Sequence, residues 1–489
     1  MLKRASLAVL LLGAMGCAPR LVGRPEQPVQ RIDEPWFTQL QEVQEEHAAR
    51  EGAPSPTHAR ASYVPQPPLI RPRQYRTDGN AETSRLGQTS FAFLEFAPAD
   101  GTGMGAACTC TSPQGAKGET LTFTRASAGM CTKTAAGGLA TTGIANGDLV
   151  SCSTDQPRVE YDSQGVLGLL VESSRTNYQL RSEQIDNVVW LQQNNVSAPT
   201  VTADQGVAPD NTTTAERVQF PATGAAQFSM MYQSATCPAS SVVSGGVYIK
   251  GFSGSGTTDV YVYSGAGFFT AACAFNSSTW TRCTIENITT TAGTTQMGFG
   301  NASQMNGGAA RSASDVLAWG AQCEAGAYVT SYIPTAASAV TRVAEQADLT
   351  LTSHTLSAPF SFSGTAWLPG GLPANARLHG TVGPSGLATY IDSFLSAGTW
   401  VADSTQVTPN NLITAQTASA NASVRATTFH DGSNFAGCLN AACSTVARAW
   451  NDLAAVTVIR IGMYSSGAGP IDGIASRVCY HPGDAARCR

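Results

Sequence analysis

From Phe91 onward, apolar and polar residues alternate at period two in short runs: "LTFTRAS" (121–127), "GGVYIKG" (245–251) and "TDVYVYSG" (258–265). Such alternation sends successive side chains to opposite faces and suits strands with one face buried. Gly- and Ser-rich stretches such as "GFSGSGTT" (251–258) fall between the runs as hairpin loops. No long helical periodicity follows residue 90. The pattern predicts an all-β protein of sandwich or jelly-roll units. Tyr261 and Tyr263 then share one face of one strand.

Ahead of this lies a different composition. Glu34 to Glu51 predicts one helix, with Trp36, Phe37, Leu40 and Val43 on a face, and "PSPTHARASYVPQPPLIRPR" (54–73) favours extended polyproline. Residues 17–88 therefore read as a tether. At its head, Lys3 and Arg4 precede an apolar run, Ala5 to Ala14, shorter than the roughly 20 residues of a membrane span. The run closes on "AMGC" (14–17), which resembles a bacterial lipoprotein signal. The resemblance implies that residues 1–16 are a signal peptide, that Cys17 carries lipid as the mature N-terminus, and that Ala18 favours the outer membrane.

The cysteine count supports export. Of 13 cysteines, twelve remain once Cys17 is set aside, in three groups of four at 108–152, 237–323 and 438–488. Even numbers in an exported chain read as disulfides. Adjacency pairs Cys273 with Cys283 across an Asn-Ser-Ser turn, Cys131 with Cys152, Cys438 with Cys443 and Cys479 with Cys488, leaving Cys108 with Cys110. Charged residues make up 13% of the chain and the net charge is −5. With no basic stripe, nucleic-acid binding has no electrostatic support.

Four blocks carry a resemblance: "GETLTFTRAS" (118–127), "VLGLLVESSRTNYQLRSEQIDNVVW" (166–190), "APDNTTTAERV" (208–218) and "WGAQCEAGAYVTSYIPTAASAVTR" (319–342). In this order they resemble β-sandwich segments of phage tail and head-fibre proteins and related bacterial surface proteins, themselves similar to carbohydrate-binding-module jelly rolls. Residues 456–482, "VTVIRIGMYSSGAGPIDGIASRVCYHP", are similar to a hairpin of concanavalin- or laminin-G-like sandwiches. The expected order is a disulfide-rich β region (89–165), a jelly roll (166–345) and a second sandwich (346–489), two sandwiches in tandem behind the tether. First-to-last strand proximity in a jelly roll pairs Cys237 with Cys323.

Catalytic motifs are thin. Residues 351–489 contain no glutamate, and their aspartates never stand two apart, so no strand there presents the carboxyl pair of a glycosidase. Glu172, Glu183, Asp186, Asp210 and Glu216 are scattered and read as loop caps or ligands of a structural ion. The six histidines form no HExxH or HxH, and no G-x-S-x-G elbow occurs. "APDNTTTAE" offers a Ca²⁺ seat at Asp210, with a plain turn as the alternative. The remaining candidates are aromatic: Tyr261 and Tyr263 first, then Trp190, Tyr232 and Tyr248, for stacking on sugar rings. Trp280 and Trp319 read as core. The expected function is non-catalytic binding of a polysaccharide or cell-surface glycan by a lipid-anchored protein. Alternatives from other classes are a phage-type structural fibre and a polysaccharide-degrading enzyme.

Overall fold

A computed structural model describes residues 92–95, 120–132, 142–162, 165–234, 237–350, 360–368, 377–382, 390–396, 399–405, 411–417, 422–431, 433–439, 442–447, 458–462 and 472–482. The signal, Cys17, the tether, Cys108, Cys110 and Cys488 lie outside them, and with them the Cys108–Cys110 and Cys479–Cys488 pairs. Among the described residues no helix is long and apolar enough to cross a membrane. The secondary structure there is strand throughout, apart from a short 3-10 turn at Ser303–Asn306. The protein is all-β.

The first sandwich has two antiparallel sheets. The six-stranded sheet runs Thr200–Gly206, Ala215–Phe220, Ser314–Ala325, Val242–Gly251, Trp280–Thr289 and Thr142–Ile144. The five-stranded sheet runs Phe268–Phe275, Gly256–Tyr263, Gln296–Asn301, Ser229–Ser234 and Leu191–Asn194. Between them lie Val218, Phe220, Val247, Ile249 and Val316 from one layer, and Met231, Val260, Val262, Met297 and Phe299 from the other. Phe299 meets Trp190 and Phe220 edge-on, at 6.0 and 5.8 Å. Because Val260 and Val262 point inward, period two turns Tyr261 and Tyr263 to the opposite face.

The outer face of the six-stranded sheet is covered. Met130, Ile144 and Leu149 pack there against Tyr248, Trp280, Trp319 and Tyr332. The covering strands Gly129–Thr132 and Leu149–Cys152 pair with each other and are joined by the Cys131–Cys152 disulfide.

The second sandwich has an eight-stranded and a seven-stranded sheet, and a Cβ added at Gly364 in one would stand 3.0 Å from the Leu378 side chain in the other. Its strands come from both sides of the first sandwich in sequence. Gly473–Pro482 pairs with Ala92–Glu95, Gly165–Val171 and Phe360–Leu368, and Thr120–Thr124 pairs with Gln346–Thr350. Strand pairing thus crosses the boundaries drawn at 165 and 345. Leu169, Leu170 and Val171 are fully buried, so their strand needs neighbours on its edges and cover on its faces, which the C-terminal sheet provides.

Disulfides join Cys237 to Cys323, Cys273 to Cys283 and Cys438 to Cys443 as well. Cys438 and Cys443 stand directly opposite each other in a hairpin. Cys273 and Cys283 differ from a hairpin bridge: they lie in different sheets. The turn between them is present, with the Asn276 carboxamide accepting from the amides of Ser278 and Thr279 at 2.8 and 2.9 Å. It carries the chain from one layer to the other, so the bond stitches the sandwich shut.

Candidate functional site

Among the described residues no sheet covers the outer face of the five-stranded sheet, and its register sets out three rows. The first crosses Phe268, Tyr263, Gln296 and Ser234; the second Thr270, Tyr261, Gly298, Tyr232 and Leu191; the third Ala272, Asp259, Gly300, Met230 and Gln193. Phe268, Tyr263 and Tyr232 are half-buried and Leu191 is 42% exposed, so the first two rows form an open aromatic floor. Phe268 lies 4.8 Å from Tyr263 and 5.7 Å from Tyr261, centroid to centroid.

Glycines let the rings lie down. A Cβ at Gly298 would stand 2.8 Å from both Tyr232 Cβ and Tyr261 Cε1, and one at Gly300 would meet the Met230 backbone at 2.7 Å. Tyr261 is fully buried within this layer, among Met230, Ala302, Phe228, Tyr232, Phe268 and Met305. Burial, and secondarily the Tyr232 phenol, push its hydroxyl well above the usual phenol range. That hydroxyl and the Gln296 Oε1 are buried without a hydrogen-bond partner.

The third row ends in a wall. Asp259, 1% exposed, accepts from the amides of Ala302 and Ser303 at 3.0 and 2.9 Å and pairs with Arg311 at 2.7 Å. Asn301 donates to the carbonyls of Pro221 and Ser312, the Ser303 hydroxyl donates to the Ala309 carbonyl, and Gln304 accepts from the Ala226 amide. The loop from Ala302 to Arg311 is thus fixed at both ends and across its width, and Met305 rests against the Tyr261 cluster.

The aromatic candidates therefore divide. Tyr232, Tyr261 and Tyr263 share this face. Trp190 does not: it fills the space between the sheets, its indole donating to the Arg181 carbonyl at 3.1 Å. Tyr248 is also removed from it, buried against Trp319 and Tyr332 under the 129–152 cover. Both rings are aromatic core, where large apolar area outweighs ligand access. The wall residues Asp259 and Arg311 and the floor residues Phe268 and Gln296 gave no sequence signal, because only register brings them together.

The scattered carboxylates have structural partners. Arg158 bonds Glu345 through Nε and Nη2 at 2.6 and 2.7 Å and also pairs with Glu172. Arg125 reaches Glu345 at 2.7 Å and Arg342 reaches Glu172 at 3.0 Å, all of them buried. Despite burial, Arg342, Arg158 and Ser331 hold the Glu172 carboxyl far below the usual carboxylate range. Arg125, Arg158, Glu172 and Glu345 each sit one residue from the end of a second-sandwich strand, where the chain passes between sandwiches. Arg175 meets Asp472 nearby at 3.3 Å. Glu172 is thus part of a buried ion network and also caps a loop, accepting from the Ser331 amide at 2.8 Å and its hydroxyl at 2.6 Å.

Two other glutamates are shifted upward. Burial raises Glu216 to about 9, with Asp186 and Asp204 adding to it, and raises Glu183 to about 7, with Asp210 adding to it. Asp210 accepts from the Thr212 amide and hydroxyl at 3.0 and 2.6 Å, an Asx-type turn. Among the described residues no three His, Cys, Asp or Glu side chains converge as metal ligands.

No family model and no curated protein matches this chain. Solved structures similar to it include domains LG4-5 of the mouse laminin alpha1 chain, at 12% identity over 57% of this chain and 89% of that one, with a TM-score of 0.21. The N-terminal CBM22-1-CBM22-2 tandem domain of Paenibacillus barcinonensis Xyn10C is similar at 11% identity over 64% of this chain and 98% of that one, with a TM-score of 0.22. The protein's two sandwiches stand on their own strand pairing.

Proposed function

We propose that this is a non-catalytic binding protein for a neutral saccharide, held at the bacterial surface by lipid on Cys17. The observation that carries the reading is the open floor of Tyr232, Tyr263 and Phe268 around Gln296, on a rigid sheet. Aromatic faces suit the apolar faces of sugar rings, and the carboxamide and phenol groups suit their hydroxyls. Charge complementarity points to an uncharged ligand. Asp259 is the one charged residue in the three rows, and Arg311 neutralises it. Burial is the largest cause of the upward shift at both Glu183 and Glu216, and the reading takes them as buried acids of the scaffold.

Aromatic stacking on a nucleobase is worth ~1–3 kcal/mol, and a sugar face gives no more. Single-site affinity then falls on the order of millimolar to micromolar, strengthened by clustering on a membrane. The test is retention of the full-length protein on immobilised neutral and acidic polysaccharides, beside a folded Tyr232→Ala/Tyr263→Ala variant. Wild-type retention on a neutral polymer that the variant loses by tenfold or more supports the reading. Retention on none, with a trimer by light scattering, transfers the protein to the structural-fibre alternative.

A further inference from the structure

Resting on that reading, we propose that the site takes the end of a saccharide chain and not a stretch of its middle. Along the strand direction the floor is open at the row of Tyr263 and at Tyr232 and Leu191 of the next row, closes over the buried Tyr261, and then meets the Ala302–Arg311 loop at the row of Asp259 and Gly300. Strands rise about 3.3 Å per residue, so two rows two residues apart give a floor close to the length of one or two sugar rings. A polymer lying along the strands cannot continue past the wall.

The wall does not behave as a lid. Its carboxylate anchor is buried and accepts two backbone amides besides the two-oxygen contact from Arg311, whose Nη2 lies 2.7 Å from Asp259 Oδ1 and whose Nε lies 3.2 Å from Oδ2. Charge-assisted bonds of this kind are the strong ones, and removing one partner strands a buried charge. Within the loop, Gly308 lies so close to Ser303 that an added Cβ would stand 2.8 Å from its carbonyl oxygen. The loop is a fixed block.

The floor also leaves two polar atoms unmet. Tyr261 lies in the row next to the wall, and its hydroxyl and the Gln296 Oε1 one row further out are buried without partners. A buried polar atom without a partner is costly, and a hydroxyl, which both donates and accepts, satisfies either one. A terminal sugar presents one hydroxyl more than an internal one, at the carbon that would otherwise carry the next linkage. The wall sets the direction and these atoms offer the recognition.

The experiment uses four neutral polymers, dextran, mannan, β-1,3-glucan and galactan, each given intact and after partial acid hydrolysis at equal mass, which multiplies chain ends without changing the sugar. Full-length protein is titrated and intrinsic tyrosine and tryptophan fluorescence is followed. Chain-end recognition requires apparent affinity per unit mass to rise with the number of ends, tenfold or more for a hundredfold increase in ends. Equal affinity per unit mass for intact and hydrolysed polymer overturns this inference while leaving saccharide binding in place. Binding to none of the four, in either form, overturns both. An Arg311→Gln variant loosens the anchor; its preference for hydrolysed over intact polymer should fall at least fivefold. If that variant does not fold, the wild-type comparison still decides.

Discussion

Tyr261 places a hydroxyl where the bare protein has no use for it. A buried phenol without a partner costs about 1–3 kcal/mol, so Tyr261→Phe is expected to raise the urea midpoint, by about 1 kcal/mol in stability. A lower midpoint would mean that the hydroxyl already has a partner. Two rows of rings also depend on one missing side chain. A Cβ at Gly298 would stand 2.1 Å from the Met231 carbonyl oxygen, and backbone cannot move aside as a side chain can. Gly298→Ala should destabilise by on the order of 2–3 kcal/mol, read as a fall in Tm. Glu216 gives a pH dependence. Its carboxyl is 1% exposed and raised to about 9, so the folded state binds a proton that the unfolded chain has lost above about pH 4.3. Its contribution is fully present below that value and declines as pH rises toward 9. Tm should therefore drop by several degrees between pH 5 and 9, and Glu216→Gln should flatten the slope; an unchanged slope in the variant would place the responsible group elsewhere.

At the scale of elements, local pattern and tertiary pairing part company. The alternation in "TDVYVYSG" was enough to put Tyr261 and Tyr263 on one face, because side-chain direction in a strand is a property of the strand alone. It could not tell inner from outer burial, and so Trp190 and Tyr248, which read as equally available, sit in two different cores. Nor could it indicate Asp259, whose partners Arg311, Ala302 and Ser303 lie more than forty residues away. Cys438–Cys443 was legible from a short hairpin. For Cys273–Cys283 the pairing was legible but its meaning was not, since nothing local says that the chain changes sheets at Asn276. The buried ion network was hidden for the same reason, being built from single charges at five separate strand ends. Removing the central member takes one of two arginines from each carboxylate, leaving Glu345 with Arg125 and Glu172 with Arg342, so Arg158→Met is expected to cost about 3 kcal/mol in a denaturant titration. Glu172, held below its ordinary value, adds the opposite pH dependence to Glu216. Its contribution is present above about pH 4.3 and disappears as acid titrates the folded carboxyl. Stability should peak between these two limbs, in mildly acidic solution.

At the scale of the molecule, two sandwiches share one chain that passes between them four times, at Arg125, Arg158, Glu172 and Glu345. Residues 346–489 therefore do not contain all of their own sheet partners. Expressed alone, that segment lacks Thr120–Thr124 and Gly165–Val171 and should aggregate through its open edges, whereas co-expression with residues 89–345 should recover soluble material. A soluble, cooperatively melting 346–489 fragment would overturn this view of the fold.

Strand Gly473–Pro482 lies between Phe360–Leu368 and Gly165–Val171 and also holds Ala92–Glu95, so all its neighbours leave the ribosome before it does. The first sandwich contains its whole set of strands between residues 142 and 325 and can close early; the second waits with Leu169 and Leu170 unsheltered until a decapeptide more than three hundred residues downstream arrives. Non-local pairing of this kind is slow and leaves sticky intermediates. For the surface location proposed above, that delay becomes an asset, because a protein that cannot finish folding during synthesis stays threadable. A nonsense codon at 473 would leave most of the sequence intact and yet remove the strand around which half the molecule assembles.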